Sequence, residues 1–402
     1  MTTHATVFAP ARPNSIEARS YSGGPYGLRA VEPAKAPAAP VRHPYWDNAR
    51  FAAVVLVIVG HATLKLIAAS DVAYSLYLFV YLFQVPAFVL ISGYFAKSKP
   101  PGVAQLKRLF TDILVPYVIF ETLWSIIHWA AGGTFKLDFT TAAWTLWFLV
   151  ALCVWRVILP YLAILRYPLA ISIVLSVGAG YLSTLGNTLS LSRVFALLPF
   201  FVLGWKIKQW NFAERWLNLR SAVVWRWRAG AIALFATLAV VSAVGIVEWR
   251  HLLLRRFLLY DESYSSIGYD QWWAGAIRLG FLALGVVCTL AFLALMPRGN
   301  TWFSAMGTRT MYIYLLHSLI LYPIRQSGLL DNTSSVWLLI GMLVLSLAIA
   351  SLLGLPVVQQ IFRPVIEPKL VWLFRATDRV ASQPAAQRPV APHSATILEW
   401  HH

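Results

Sequence analysis

The chain has 402 residues, 59% hydrophobic and 12% charged, with a mean hydropathy of +0.65. A soluble domain carries about 25% charged residues, so this composition excludes one and requires a protein built into a bilayer. The net charge of +17 does not argue for a nucleic-acid partner, because the Lys and Arg side chains sit in short loops between apolar runs, where they serve as topology signals or contacts to lipid and phosphate.

In chain order, residues 1–42 are rich in Ala, Pro, Ser and Gly and have no continuous apolar region. They read as a disordered cytoplasmic tail rather than a signal peptide. Ten apolar stretches follow, at 49–68, 73–95, 109–130, 142–165, 168–184, 192–208, 229–248, 273–296, 309–326 and 336–361. They predict an all-α, polytopic membrane bundle of about ten transmembrane helices within residues 43–380, followed by a second disordered tail over 381–402. Pro86, Pro116, Pro160, Pro199, Pro323 and Pro356 fall inside these stretches. Proline frees backbone groups that must find partners within the protein, which favours a bundle with a polar interior.

The first stretch organises the rest. Tyr45 to Leu66 has a polar start and a single histidine among apolar residues. Arg50 and His61 are eleven residues apart, about three helical turns, so one helix face carries both, roughly 16 Å apart along the axis. In a hydrocarbon core about 30 Å thick, that places Arg50 at an interface and His61 near the midplane. The two are expected to face one internal chamber. Asp47, three residues before Arg50, shares its face and can pair with it.

Alternate loops fix the orientation. One side carries Arg42, Lys97, Lys99, Lys107, Arg108, Arg166, the basic run of 206–228, Arg298, Arg309 and Arg363. The other carries Lys136, Asp138, Asp331 and a longer segment, 249–272, that mixes arginines, acids and the aromatics Tyr260, Tyr264, Tyr269, Trp272 and Trp273. The basic side is expected to be cytoplasmic and to hold both termini. The outer aromatics read first as an interfacial belt, and alternatively as a sugar-binding surface.

An ionisable side chain within a span is a functional candidate because it is costly there. His61, Glu121 and His317 qualify. His128, beside Trp129 near the outer interface, reads as structural, and Lys65 can snorkel outward. A neutral imidazole is the usual general base near neutral pH, which suits His61. A buried carboxylate needs a partner, so Glu121 can orient an imidazole, bind an acceptor hydroxyl or pair between helices. Lys107 and Arg108, where the third stretch leaves the cytoplasm, can bind phosphates. Cys153 and Cys288 lie in apolar runs and imply neither a disulfide framework nor a metal site.

Arg50, ten intervening residues and His61 resemble the acyltransferase 3 family of integral-membrane O-acyltransferases, in particular its stand-alone, fucose 4-O-acetylase-like branch. FQVPAFVLISGYFAKS (83–98), KRLFTDILVPY (107–117), LWFLVAL (146–152), LPFFVLGW (198–205) and MYIYLLHSLIL (311–321) resemble its further segments in order. The resemblance implies transfer of an acyl group, usually acetyl, from cytoplasmic acyl-CoA to a hydroxyl of a sugar, glycolipid or other envelope molecule across a bacterial inner membrane. It makes Arg50 and His61 the essential pair, with Asp47 fixing Arg50. Arg50, Lys107 and Arg108 are the acyl-CoA contacts it implies, with no metal. The resemblance makes the basic loop and His317 second-tier and does not settle the role of Glu121; Glu121, His317, Trp147 and Ser92 are the candidate substrate contacts. Succinyl or longer acyl transfer is an alternative within this chemistry. A transporter or flippase, which favours inverted repeats, and a non-catalytic assembly partner are alternatives outside it.

Overall fold

The computed structural model describes residues 43–373, apart from Asn187 and Lys369. The tails expected at 1–42 and 381–402 lie outside these residues. Among the described residues the chain is helical, and one isolated bridge, Thr141 to Thr188, is its only strand-like pairing.

Helix α1 spans Pro44–Thr63 and is followed by α2 (Asp71–Tyr81), α3 (Gln84–Tyr94), α4 (Val103–Leu109) and α5 (Val115–Ala130). Next come α6 (Trp147–Ile164), α7 (Pro168–Ala179), α8 (Leu191–Gln209), α9 (Phe212–Leu217) and α10 (Ser221–Val244). Three short helices, α11 (Ile246–His251), α12 (Leu254–Leu259) and α13 (Tyr264–Ile267), occupy the long outer segment. The chain continues through α14 (Ala274–Leu295), α15 (Ser304–Gly307), α16 (Thr310–Gln326), α17 (Val336–Leu353) and α18 (Pro356–Ile366).

Six helical stretches are long and apolar enough to cross a membrane: 71–94, 103–130, 147–164, 221–244, 274–295 and 336–353. The other four expected spans fall on α1, α7, α8 and α16. Helix α7 is only 12 residues long, and α1, α8 and α16 carry polar and charged side chains. Local chemistry shifts several boundaries from those the sequence predicts. Pro356 has no amide hydrogen and opens α18, so the tenth stretch breaks after Leu353. The second breaks at Leu82–Phe83, and the fourth begins at Trp147 rather than 142. Between α4 and α5 the chain widens into a π-helical turn over Phe110–Leu114, directly before Pro116.

Helix α1 is the central element, as its sequence suggests. It packs against α2, α3, α15, α16 and α17, and most of its side chains are buried, whereas α10 buries only Val224, Ala231 and Ser242. Asn48, fully buried in α1, donates to the carbonyls of Pro297 and Gly299 at 3.0 and 2.9 Å and accepts from Thr301 and Ser304 at 2.8 and 2.6 Å. Helices α3 and α8 meet through two reciprocal glycines. A Cβ on Gly93 would lie 2.0 Å from the Phe201 carbonyl oxygen, and one on Gly204 would lie 1.9 Å from that of Leu90. With no water to expel from between them, membrane helices gain most from such close packing at small residues.

Candidate active site

His61 sits in the last turn of α1, half-buried, on a cavity of about 230 Å³. The glycine before it explains the placement: a Cβ on Gly60 would come within 2.7 Å of the Tyr81 ring and 2.9 Å of the Gln84 amide. Helix α1 therefore presses against the α2–α3 junction, and Tyr81 and Gln84 line the cavity with His61.

The opposite wall is the loop before α6. Trp144 adopts a left-handed backbone conformation, φ 34°, which a bulky residue rarely takes unless its surroundings impose it. Three contacts do so. The Glu121 carboxylate accepts the Ala143 amide hydrogen at 2.9 Å, the Tyr314 hydroxyl donates to the Thr145 carbonyl, and the Arg325 guanidinium lies 4.4 Å from the centre of the Trp144 ring. The Trp144 ring thereby meets His61 nearly edge-on at 5.4 Å between centroids. Upstream, Asp138 accepts from the hydroxyl and amide of Thr140 and the amide of Thr141, and these donors hold its carboxyl below the usual range.

His317, fully buried in α16, lies 5.6 Å from His61 between ring centroids. Its Nδ1 reaches the carbonyls of Tyr314 at 2.6 Å and Ile313 at 3.2 Å, so Nδ1 carries the donated hydrogen and Nε2 is left as an acceptor without a partner.

Helix α8 and the outer segment close the cavity. Arg193 pairs with Asp261 at 2.6 Å, donates to the Leu259 carbonyl and stands 5.0 Å from the centre of the Trp147 ring. Arg255, Tyr260 and Tyr77 complete that end. Burial pushes the Tyr260 phenol up to about 12, so it remains a neutral hydroxyl at physiological pH. Of the outer aromatics, Tyr260 alone is among the residues lining this cavity; Trp272 is 86% exposed, as an interfacial belt requires.

Six lining residues present a buried polar atom with no hydrogen-bond partner: His61 Nδ1, Tyr77 Oη, Gln84 Oε1, Thr145 Oγ1, Arg255 Nε and Asp261 Oδ1. Buried polar atoms are nearly always partnered. Their convergence on one aromatic-walled cavity marks a place where a hydroxyl-rich molecule can supply what the protein does not.

Arg50 is elsewhere. It pairs with Asp47 at 3.3 Å, as predicted, but its guanidinium covers the Phe95 ring at 4.0 Å, and Arg50 is not among the residues lining the His61 cavity. The expectation that both face one chamber is corrected. Phe95 instead lines a separate groove of about 220 Å³ on the basic side, with Lys97, Lys99, Arg108, Asp112 and Arg156. Of the two basic residues expected to contact phosphate, Arg108 lines that groove and Lys107 is not among its lining residues.

Of the candidate substrate contacts, Trp147 lines the His61 cavity. Ser92 donates within its own helix to the Phe88 carbonyl at 2.9 Å, and Glu121 reaches the site only through the Ala143 amide. His128 lies tilted against the Trp124 and Tyr322 rings, consistent with its structural reading, and Lys65 pairs with Asp331 at 2.9 Å. Sequence reasoning missed Arg193 and Arg156, Arg325 and the almost fully buried Arg278. Each lies inside a predicted span, which was the signal available.

A family model described as an acyltransferase domain matches residues 43–355. No curated protein and no solved structure matches the chain.

Proposed function

The chain belongs to the acyltransferase 3 family, and from that premise we propose that this membrane acyltransferase moves an acyl group, acetyl in the first instance, from cytoplasmic acyl-CoA to a hydroxyl of a sugar, glycolipid or other envelope acceptor. The observation that carries this reading is the cluster of unpartnered polar atoms around His61 in a cavity walled by Trp144, Trp147, Tyr81 and Tyr260. Aromatic faces with scattered hydrogen-bonding groups suit a sugar ring.

In this mechanism His61 takes the proton of the acceptor hydroxyl as its oxygen attacks the thioester carbonyl. The carbon–sulfur bond breaks, the acyl group passes to oxygen, and CoA leaves as the thiolate, to be protonated from His61 or solvent. His317, with its Nε2 open and its ring beside His61, serves as the second polar group of the site. The basic groove of Lys97, Lys99, Arg108 and Arg156 suits the phosphates of CoA, and Arg50 holds its rim through Phe95. Loop charge assigns that groove to the cytoplasm and the Arg193–Asp261 end of the His61 cavity to the outside. The acyl group then crosses between the two within the bundle.

Purified protein in a bilayer nanodisc should release free CoA from acetyl-CoA only when acceptor is present. His61→Ala, confirmed as folded, should lower that rate by about 10²–10⁴-fold. Undiminished acceptor-dependent release by the folded variant overturns the assignment.

A further inference from the structure

Charge in the His61 cavity does not balance. Its lining holds two arginines, Arg193 and Arg255, and one carboxylate, Asp261. Asp261 is committed to Arg193 at 2.6 Å. Arg255 forms no ion pair among the described residues; its Nε is buried without a partner, and its guanidinium, 5.8 Å from the centre of the Tyr77 ring, has the neutral Tyr77 hydroxyl beside it.

Four carboxylates of the surrounding elements are committed as well. Glu262 pairs with Arg256, Asp71 with Arg250 and Asp331 with Lys65, and Glu121 accepts from the Ala143 amide. Around the same end, Arg325 lies over Trp144, and Arg278 lies 5.1 Å from the centre of the Tyr260 ring, adding positive charge without a carboxylate. Loop charge assigns this end to the outer face, where the topology rule gives no reason for an arginine excess. A guanidinium without a counter-charge, lining the same cavity as an orphaned imidazole, is costly unless something negative enters with it.

Resting on the acyl-transfer reading of this cavity, we propose that the acceptor is itself an anion: a hydroxylated molecule bearing a carboxylate or phosphate that Arg255 grips while its hydroxyl faces His61. The planar guanidinium fork matches either group. Arg193, already neutralised by Asp261 and placed over Trp147, then contributes shape and stacking rather than free charge.

The test is equilibrium binding to the full-length protein in nanodiscs without acyl-CoA, so that it does not depend on turnover. Methyl glucuronide, methyl galacturonide and a methyl hexoside phosphate are compared with their neutral parents, and coenzyme A is titrated in parallel. At least one anionic glycoside should bind about tenfold or more tightly than its neutral parent. His61→Ala should keep that gap, Arg255→Gln should shrink it to less than about threefold, and Arg255→Lys should keep part of it. Equal binding of every anionic glycoside and its parent in the wild-type protein overturns the proposal without any variant. So does a gap that persists in Arg255→Gln, or an Arg255→Gln effect confined to coenzyme A, which would give the arginine to the donor. Loss of acyl transfer in His61→Ala with no charge preference in binding leaves the acyltransferase reading standing and removes this one.

Discussion

At the scale of single residues, position relative to the cavity decides what each side chain can do. Glu121 shows this most clearly. As a buried carboxylate in a span it looked like a candidate acceptor contact, yet its carboxylate holds the Ala143 amide, one residue before the strained Trp144 that borders His61. In the proposed mechanism it is therefore a positioning residue. Glu121→Gln keeps an acceptor oxygen and should retain most activity, whereas Glu121→Ala leaves the Ala143 amide unsatisfied at a cost of about 1–3 kcal/mol. The alanine variant should lower kcat/KM about tenfold while the glutamine variant does not; equal losses in both would mean that the charge itself is used. A double variant with Trp144→Ala should then be less than additive, because the two changes act on one loop.

At the scale of elements, small residues and capping cations set the packing. The Gly93 and Gly204 positions of the ISGYF and PFFVLGW segments hold α3 and α8 backbone to backbone. Gly204→Val should therefore abolish monodisperse protein or sharply lower its thermal midpoint, while Gly230→Ala on α10, where a Cβ meets nothing within 4 Å, should be silent. Several arginines read from the sequence as topology signals also close helix ends. Arg228 donates to the Ala294 and Met296 carbonyls at the end of α14, Arg298 to those of Trp216, Leu217 and Leu219 at the end of α9, and Arg309 to that of Gly354 after α17. The loop before α6 adds a pH dependence. Its donors lower the Asp138 carboxyl from 3.8, so the ordering they provide is complete above that value and is lost as pH falls through the lower folded one. Trp144 fluorescence should show an acid transition centred below 3.8 in the wild-type protein. Asp138→Ala should remove that transition; a transition unchanged in the variant would assign it to another group.

At the scale of the whole molecule, the segregation of basic loops predicts a fixed orientation. A cysteine placed at Lys99 should react with a membrane-impermeant maleimide only from the cytoplasmic side, and one at Asp331 only from outside. Cys288 is buried, which lowers its background labelling. The exchanged pattern would reverse the donor and acceptor faces, and labelling of both positions from one side would refute this topology. The fold class was legible without coordinates, because apolar runs of helical length have only one way to satisfy their backbone in lipid. The Asp47–Arg50 pair was legible too, since three residues along a helix bring two side chains together whatever surrounds them. So was the presence of a costly histidine inside the first helix, although not the cavity it lines. What periodicity did not determine was the direction each face takes. A helix apolar almost all round has no preferred azimuth of its own, and its neighbours choose one by packing. That choice turned His61 toward Arg193, Arg255 and Asp261, which are far away in the chain, and left Arg50 against Phe95 on another surface. Composition and local spacing determined that the protein spans a membrane and which residues are costly there. Only the tertiary structure decided which of them share a cavity, because hydrogen bonds and ion pairs act over a few ångströms in space and are blind to separation along the sequence.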